Sequence, residues 1–424
     1  MPPRNPLERK IRWRLVAPIT LFLLLSSLDR VNISFAALGG MNAALGLSPA
    51  AYGFGAGILF VGFLAGQYPS VLALQRVGMR RWIGSCAILW ALASGGISLS
   101  HSAESFYLLR IVVGFAEAGL APGVVIYLSQ FTTEAERART FGVPMIAIPL
   151  SVAIGSPLSG WLMSTALAAD IAPWRWLLIC ESLPCLVLGI AAYFYFPDHP
   201  QDAAWLTSAE IDSLRTRATA DLRARLPNDW RVLRQPLVWI AALLWFCLLS
   251  GSYGIIFWLP QMVKSLTGLG PQAIGWINAL PWLGAAGGMY LNAVHSDRTH
   301  ERFWHVALPA VVAAAATFAA WQFGPGGAGL CALLVMGIGL GAAQGAFWSV
   351  PTMLLTRSTL AVAAVMINLL GSAGGLVMPH LIGYAVGRGA GTAGASLLIA
   401  ATLAIAGALT LVVRYGTAPA ATTA

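Results

Sequence analysis

The chain has 424 residues, of which 58% are hydrophobic and only 10% are charged. Soluble domains carry about 25% charged residues, so this composition excludes an ordinary soluble protein. The net charge of +9 does not indicate a nucleic-acid-binding surface, because the basic residues lie in short segments between long apolar stretches.

Twelve apolar stretches follow one another along the chain, each close to the roughly 20 residues that a helix needs to cross a bilayer. None shows the two-residue alternation of a membrane-spanning strand, and lipid does not tolerate an unpaired backbone. The sequence therefore predicts an all-α membrane protein. The predicted spans are 15–38, 51–73, 82–100, 104–130, 138–163, 174–196, 237–263, 272–294, 303–323, 328–352, 358–386 and 391–414.

The basic residues alternate with the spans. They lie before span 1, after the even-numbered spans and at the C-terminal end. The exceptions among the 25 Lys and Arg residues are Arg30, Arg110, Arg175, Lys264 and Arg388. Cytoplasmic loops carry the excess of Lys and Arg, so both termini and the segment between spans 6 and 7 are predicted to be cytoplasmic. The first span is too long for a cleavable signal peptide.

A polar segment between Phe196 and Gln235 separates six spans from six. It is predicted to be a linker with a short helix near 207–220, capped by Thr207 or Ser208. Arg-rich turns after spans 2 and 8 indicate that the two halves are duplicates. The predicted organisation is an N-terminal six-helix bundle at 1–197, a cytoplasmic linker at 198–235 and a C-terminal six-helix bundle at 236–424.

Spans 1 and 4 each carry two charged residues at membrane depth, where a charge costs at least about 2.5–3.5 kcal/mol. Asp29 and Arg30 are adjacent and point about a quarter-turn apart. Arg110 and Glu117 lie on nearly the same helix face, roughly 10 Å apart along the axis. An arginine fork suits a carboxylate, and a buried carboxyl can carry a proton. The four residues predict a site for an anion and a proton; the alternative is two static ion pairs that brace the helices.

Further motifs accompany these charges in both halves of the chain. They are Leu28-Asp29-Arg30-Val31-Asn32, Leu109-Arg110, Glu117-Ala118-Gly119, Pro122-Gly123, Glu134-Ala135-Glu136-Arg137-Ala138-Arg139, Phe257-Trp258-Leu259-Pro260-Gln261, Ser296-Asp297-Arg298, Phe347-Trp348-Ser349-Val350-Pro351-Thr352 and Ile367-Asn368. With them, almost the whole chain resembles the major facilitator superfamily. Within it the chain resembles the anion:cation symporter family, and most of all the tartrate-, phthalate- and aldonate-type permeases. The resemblance implies two six-helix bundles that rock about a central site.

The resemblance also implies roles for single residues. Asp29 and Glu117 would couple transport to protons, and amides or an indole in the second half would suit a hydroxylated or aromatic acid. Asn278 and Gln344 are expected to form interhelical hydrogen bonds, and the same alternative stands for Asn368. The predicted substrate contacts are Arg30, Arg110, Tyr52, Tyr253, Gln261, Trp348 and Asn368.

The turns after spans 2 and 8 resemble the conformational latch of the superfamily. Three positions depart from the family pattern: Gln75 replaces an acidic residue, His300 replaces a glycine and His380 replaces a tyrosine. The histidine at position 380, in span 11, is expected to alter the substrate pocket or its response to pH. The latch candidates are Arg76, Gly78, Arg80, Asp297, Arg298 and Arg302.

Glu181, in span 6, is a third acidic residue at membrane depth. Its predicted place near the outer end of the span favours a structural ion pair with Arg175. The five cysteines lie within apolar spans without metal-ligand spacing and are expected to be small core side chains. No metal and no cofactor other than a coupling proton are predicted.

These features predict a proton-coupled symporter that imports a small organic carboxylate by alternating access. The resemblance and the short loops imply a monomer in the bacterial inner membrane. An exchanger or facilitator without proton coupling is the main alternative. An intramembrane enzyme is disfavoured because the spans lack a nucleophile–base pair or a metal motif, and ATP-driven transport is disfavoured because no P-loop occurs.

Overall fold

The computed structural model describes residues 6–132, 134–165, 171–223, 229–324 and 326–417, and this part of the chain is helical, without strands. The first six long helices are α1 (Pro6–Leu38), α2 (Pro49–Val77), α3 (Met79–Ile97), α4 (Ala103–Leu128), α5 (Glu134–Ser164) and α6 (Pro173–Tyr195). The second six are α7 (Pro236–Thr267), α8 (Pro271–Thr299), α9 (Trp304–Phe323), α10 (Gly327–Leu354), α11 (Arg357–Ala385) and α12 (Gly391–Thr417). The predicted fold class is confirmed.

Length and composition alone identify eight stretches of the described chain as able to cross a membrane, and the last, Ser358–Gly416, takes in both α11 and α12. The helices missing from that set are α3, α5 and α8, which are the least apolar of the twelve. Glycines of these helices, such as Gly84, Gly155 and Gly284, lie against neighbouring helices, and such close packing favours helix association in a membrane.

The two halves repeat the same helix pairings. In the first, α1 packs on α5 and α6, α2 on α4, and α3 on α4 and α6. In the second, α7 packs on α11 and α12, α8 on α10, and α9 on α10 and α12. The bundles meet through α2 with α11, α5 with α8, and α1 with α7. Each pairing has a counterpart six helices away, which is the arrangement expected of a duplicated bundle.

The linker lies on the face where α1 begins and α12 ends, which we call the terminal face. Its helix, Ser208–Arg223, begins at a capping box in which the backbone N–H groups of Thr207 and Glu210 each bind the other residue's side chain, so the predicted cap is confirmed. The Thr207 N–H, and then the Lys10 ammonium at 2.9 Å, hold the pKa of Glu210 below its usual range. This ion pair joins the linker to the start of α1.

The bundles approach each other most closely at the face away from the termini, which we call the opposite face. A side chain on Gly53 or Gly57 of α2 would collide with the backbone of α11. Gly383 of α11 lies against the backbone of α2, and Gly160 and Gly275 lie at the corresponding contact of α5 with α8. The two bundles are therefore closed against each other at the opposite face.

Replacing Gly53 by leucine is expected to force the bundles apart at the opposite face, because the new side chain meets the Pro379 carbonyl. Helices without small contact residues pack about 8–10 Å apart, so the separation should grow by roughly 2 Å. Spin labels at Ala44 and Gly387 measure it directly. The control, Gly287→Leu, places the same side chain in open space and should leave the distance unchanged. An unchanged distance in the Gly53 variant would contradict this account of closure.

Candidate functional site

Asp29 is enclosed within the first bundle. It is 2% exposed, and its Oδ1 accepts hydrogen bonds from Asn32 Nδ2 at 2.8 Å and from the Ser94 hydroxyl of α3. Its Oδ2 has no hydrogen-bond partner among the described residues. Asp29 thus points towards α3, away from its neighbour Arg30.

Arg30 points towards α4 and forms an ion pair with Glu117, with Arg30 Nε 2.9 Å from Glu117 Oε2. The Arg30 side chain is 19% exposed, whereas the Glu117 side chain is 0% exposed. The guanidinium also lies 5.6 Å from the ring centre of Phe63, and the Tyr253 hydroxyl of the second bundle lies close to it. Arg30 is therefore a cation that reaches the space between the bundles.

Arg110 has a different environment. It is 1% exposed, and its guanidinium donates to the backbone carbonyls of Gly55 at 3.4 Å and Ala56 at 3.0 Å in α2. It also lies 5.8 Å from the ring centre of Phe257 in α7. In this conformation the Arg110 guanidinium is buried and bound to backbone carbonyls, whereas the Arg30 side chain is partly exposed.

The second bundle contributes aromatic and amide groups to the centre. Tyr253, Gln261, Trp348 and Asn368 are all partly exposed. The Tyr253 ring lies 4.5 Å from the ring of Phe60 in α2, and Gln261 Nε2 has no hydrogen-bond partner among the described residues. The rings of Trp245 and Phe347 stack next to Trp348, with their centres 4.5 Å apart. The contact with Phe60 places Tyr253 at the boundary between the two bundles.

Tyr52, predicted to contact substrate, is fully buried in this conformation. Its hydroxyl donates to the Phe257 carbonyl at 2.9 Å, across the contact between α2 and α7. Its ring packs edge-on against Trp258. Tyr52 therefore closes the centre from the opposite face.

The expected interhelical hydrogen bonds are confirmed for the two amides. Asn278 Nδ2 donates to the Ser156 hydroxyl at 2.7 Å, which links α8 with α5 across the bundle boundary. Gln344 Nε2 donates to the Ser252 hydroxyl at 2.6 Å, within the second bundle. Neither amide is available to a solute at the centre.

The predicted ion pair between Glu181 and Arg175 is wrong. Arg175 donates to the carbonyls of Ser98 and Ser100, at the end of α3. Glu181 is 4% exposed and accepts a hydrogen bond from the Ser159 hydroxyl of α5 at 2.7 Å. The two residues are six positions apart in α6, which puts them on different faces of the helix.

The Arg-rich turns lie on the terminal face. Gly78 adopts a φ of 82° between α2 and α3, and Arg80 binds Asp198 at the start of the linker, with a 2.8 Å ion pair. In the other half Arg302 binds Asp297 at 2.7 Å. Arg76 and Arg298 are exposed. Each described ion pair of these turns lies within its own half of the chain.

His380 does not line the centre. It is exposed and packs edge-on against Phe54, with the ring centres 5.7 Å apart, on the outer surface of the contact between α2 and α11. The expectation that this residue alters the pocket is therefore wrong for this conformation. The backbone of its neighbour Pro379 makes the inward contact, accepting from Trp258 Nε1 at 3.1 Å.

Sequence reasoning assigned no role to Asn32, Ser94, Ser159 or Phe63, which surround the charged residues. A polar residue within an apolar span is the signal that could have identified the first three. Phe63 carries no such signal, because an aromatic residue is common in any membrane helix. Within the described part of the chain, no group of three or more His, Cys, Asp and Glu residues could hold a metal ion.

Twelve helices in two duplicated halves, with charged residues buried among the helices of the first half, are typical of secondary membrane transporters. Residues 19–379 match the profile described as Major Facilitator Superfamily. The chain belongs to this superfamily and is a secondary transporter, not an enzyme. The predicted family is confirmed.

Named relatives and solved structures agree with this assignment. A protein of Agrobacterium vitis named "Putative tartrate transporter" is 38% identical over 411 residues, which are 95% of this chain and 90% of that protein. "Putative metabolite transport protein NicT" of Pseudomonas putida is 36% identical over 315 residues, 73% of this chain and 72% of that protein. The crystal structure of a bacterial homolog of the human lysosomal transporter Spinster matches with a TM-score of 0.79 at 18% identity, covering 96% of this chain and 97% of that one. The sequence relatives are consistent with the anion:cation symporter family.

Proposed function

We propose that this protein is a proton-coupled symporter that imports a small organic carboxylate across the bacterial inner membrane. The observation that carries the proposal is the buried pair of Arg30 with Glu117, in which one cation reaches the space between the bundles while its partner is fully buried. The name of the Agrobacterium vitis relative, "Putative tartrate transporter", supports an organic acid as substrate.

The pair offers a simple means of coupling. While Glu117 is ionised it occupies the guanidinium of Arg30, so a substrate carboxylate must compete with it. Once Glu117 binds a proton, its attraction for Arg30 is lost and the substrate carboxylate can take its place through charge-assisted hydrogen bonds. Loss of the proton restores the competition and expels the substrate. Proton and anion therefore bind together and leave together.

Asp29 is the second proposed proton carrier. It faces Ser94 and Asn32 with one oxygen and leaves the other without a partner. Arg110, buried beside it, has its guanidinium engaged by the α2 backbone. We assign substrate binding to Arg30 and a structural role to Arg110, since only Arg30 has an exposed side in this conformation.

On the second bundle the substrate would contact Tyr253, Gln261, Trp348 and Asn368. Their phenol, amides and indole suit hydroxyl groups or a flat ring, so a hydroxylated diacid, an aldonate, a phthalate and a pyridine carboxylate all fit this chemistry. Gln261 Nε2, which is buried without a described hydrogen-bond partner, is the donor that we propose for a second oxygen of the substrate.

During transport the two bundles would separate at the opposite face and close together at the terminal face. The bundles at 1–197 and 236–424 are closed at the opposite face, where Tyr52 also lies, and the linker at 198–235 spans the terminal face. By the distribution of Lys and Arg, we place the terminal face and both termini in the cytoplasm. The present conformation is then a state closed to the outside, and the latch residues of the two Arg-rich turns would stabilise the state closed to the cytoplasm.

Uptake by the purified protein in liposomes tests the proposal, with labelled tartrate, galactonate, phthalate and nicotinate offered in parallel. A gradient of one pH unit is worth about 1.4 kcal/mol per proton, so one coupled proton should concentrate a monoanion about tenfold. We expect one of these acids to accumulate only when the inward proton gradient is imposed. Exchange without accumulation would identify a carrier without proton coupling, and the proposed mechanism would be wrong.

A further inference from the structure

A cleft of about 470 Å³ lies on the surface of the first bundle, between α3 and α6 at the terminal face. Both arginines in its lining are exposed, and Phe194 is 88% exposed. The cleft is therefore open to its surroundings rather than a void of the core. Its lining residues are Arg80, Arg81 and Ile88 of α3 with Ile190, Tyr193 and Phe194 of α6.

The polar and the apolar residues of the cleft lie at different depths. Arg80 and Arg81 are in the first turn of α3, and Tyr193 is in the last turn of α6, so all three lie at the membrane surface. Ile88 follows Arg81 by seven residues, which places it on nearly the same side of α3 and roughly 10 Å deeper. Ile190 lies about one turn deeper than Tyr193. The cleft is basic at the membrane surface and apolar below it.

Close packing of α3 on α6 fixes the two walls of the cleft. A side chain on Gly84 of α3 would come within 2.5 Å of the Tyr193 ring, and one on Gly189 of α6 would collide with Ile88. The hydroxyls of Tyr193 and Ser85 lie 2.6 Å apart. Because their mutual hydrogen bond uses only one of the two O–H groups, the other can donate to a ligand.

The mouth of the cleft carries a net positive charge. Arg80 binds Asp198 of the linker through Nε at 2.8 Å, and its side chain remains 49% exposed. Arg81 has no ion-pair partner in the part of the chain that the structure describes. Asp198 balances one of the two guanidiniums, and the six lining residues include no acid, so one positive charge is left over.

We propose that this cleft binds an anionic phospholipid from the leaflet at the terminal face. The lipid phosphate would bind Arg81 and the exposed side of the Arg80 guanidinium through charge-assisted hydrogen bonds, and the free hydroxyl would be a further donor. An acyl chain would lie along Ile88, Ile190 and Phe194. The inference depends neither on proton coupling nor on the identity of the transported acid.

The charge of the head group decides which lipid the cleft prefers. A zwitterionic lipid has the same phosphate and chains, but its own cation offsets the attraction to the two arginines. A soluble phosphate has the charge but cannot cover the apolar wall, so it gains nothing from Ile88, Ile190 or Phe194. Both parts of the cleft are satisfied together only by an anion that carries acyl chains.

Native mass spectrometry of the purified full-length protein tests the site, with phosphatidylglycerol and phosphatidylcholine of equal chain length offered together. We expect the wild type to retain phosphatidylglycerol preferentially, and Arg81→Gln to lower this preference about fivefold. Arg81→Lys keeps the charge and should keep most of the preference. The matched control, Arg298→Gln, removes an exposed arginine from the corresponding turn of the second half and should change nothing. Equal retention of the two lipids by the wild type, or an equal fall in the control, would overturn the proposal.

The apolar wall is tested separately, since two arginines also suit a free phosphate. Glycerol 3-phosphate, which has the phosphate without the acyl chains, should not displace the retained phosphatidylglycerol even in large excess. Phe194→Ser should reduce retention of both lipids together. Leu92→Ser, which changes an exposed apolar residue of α3 outside the cleft, should leave retention as in the wild type. Displacement by glycerol 3-phosphate, or unchanged retention in Phe194→Ser, would overturn the assignment to a phospholipid.

Discussion

Replacing Arg30 by glutamine is expected to weaken substrate binding by roughly 10- to 100-fold. The variant removes charge-assisted hydrogen bonds to the substrate carboxylate, each worth about 1.5–3 kcal/mol, and tenfold in affinity corresponds to about 1.4 kcal/mol. Binding of the selected acid to the purified protein, measured by calorimetry, checks the value. Because the variant also leaves Glu117 without its ion-pair partner, the double variant Arg30→Gln/Glu117→Gln separates the two effects.

Arg110→Gln is the matched control, since it changes the same residue type in the same charged centre. Arg110 supports the backbone of α2 through Gly55 and Ala56, and removing one member of a buried charged set typically costs 3–5 kcal/mol. We therefore expect a clear fall in the thermal unfolding temperature for Arg110→Gln. Arg30→Gln alone leaves Glu117 buried and unpaired, so its stability is compared through the double variant Arg30→Gln/Glu117→Gln, for which we expect little change. Equal loss of affinity in the two variants, with equal stability, would contradict the assignment of substrate binding to Arg30.

Replacing Glu117 by glutamine is expected to remove one coupled proton from proton-driven accumulation while leaving exchange of substrate intact. Glutamine has the shape of a protonated glutamate and no charge, so Arg30 is released to the substrate at every pH. Accumulation of the substrate should fall by about tenfold per pH unit of gradient, which is the contribution of one coupled proton. Exchange of labelled for unlabelled substrate in liposomes, with and without the gradient, measures both quantities in one preparation.

The proposed role of Glu117 also predicts the direction in which substrate affinity changes with pH. In the wild type, substrate affinity should rise as the pH falls, because protonation of Glu117 removes its competition for Arg30. In Glu117→Gln that competition is absent, so the contribution of this residue to the pH dependence should vanish and the affinity at high pH should exceed that of the wild type. Glu104→Gln, at an exposed position in the same helix, should behave as wild type. Accumulation equal to that of the wild type in Glu117→Gln would show that Glu117 does not carry a coupling proton.

The sequence was sufficient for the number of helices and their approximate ends. A run of about 20 apolar residues has few alternatives in a membrane, since its backbone must satisfy its own hydrogen bonds. It was likewise sufficient to single out Asp29, Arg30, Arg110 and Glu117, because each charge at membrane depth is costly and therefore conspicuous. The seven-residue spacing in α4 and the quarter-turn between Asp29 and Arg30 follow from helix geometry alone.

The partner of each charge was decided only by the tertiary structure. Arg30 and Arg110 are equivalent candidates in the sequence, yet the first pairs with Glu117 beside the space between the bundles and the second binds the backbone of α2. Glu181 was paired with the wrong arginine for the same reason: proximity along a helix does not determine which neighbouring helix a side chain faces. Hydrophobicity specifies how deep a residue lies in the membrane. Rotation and packing of the helices, which arise from contacts between residues distant in the sequence, determine what it meets there.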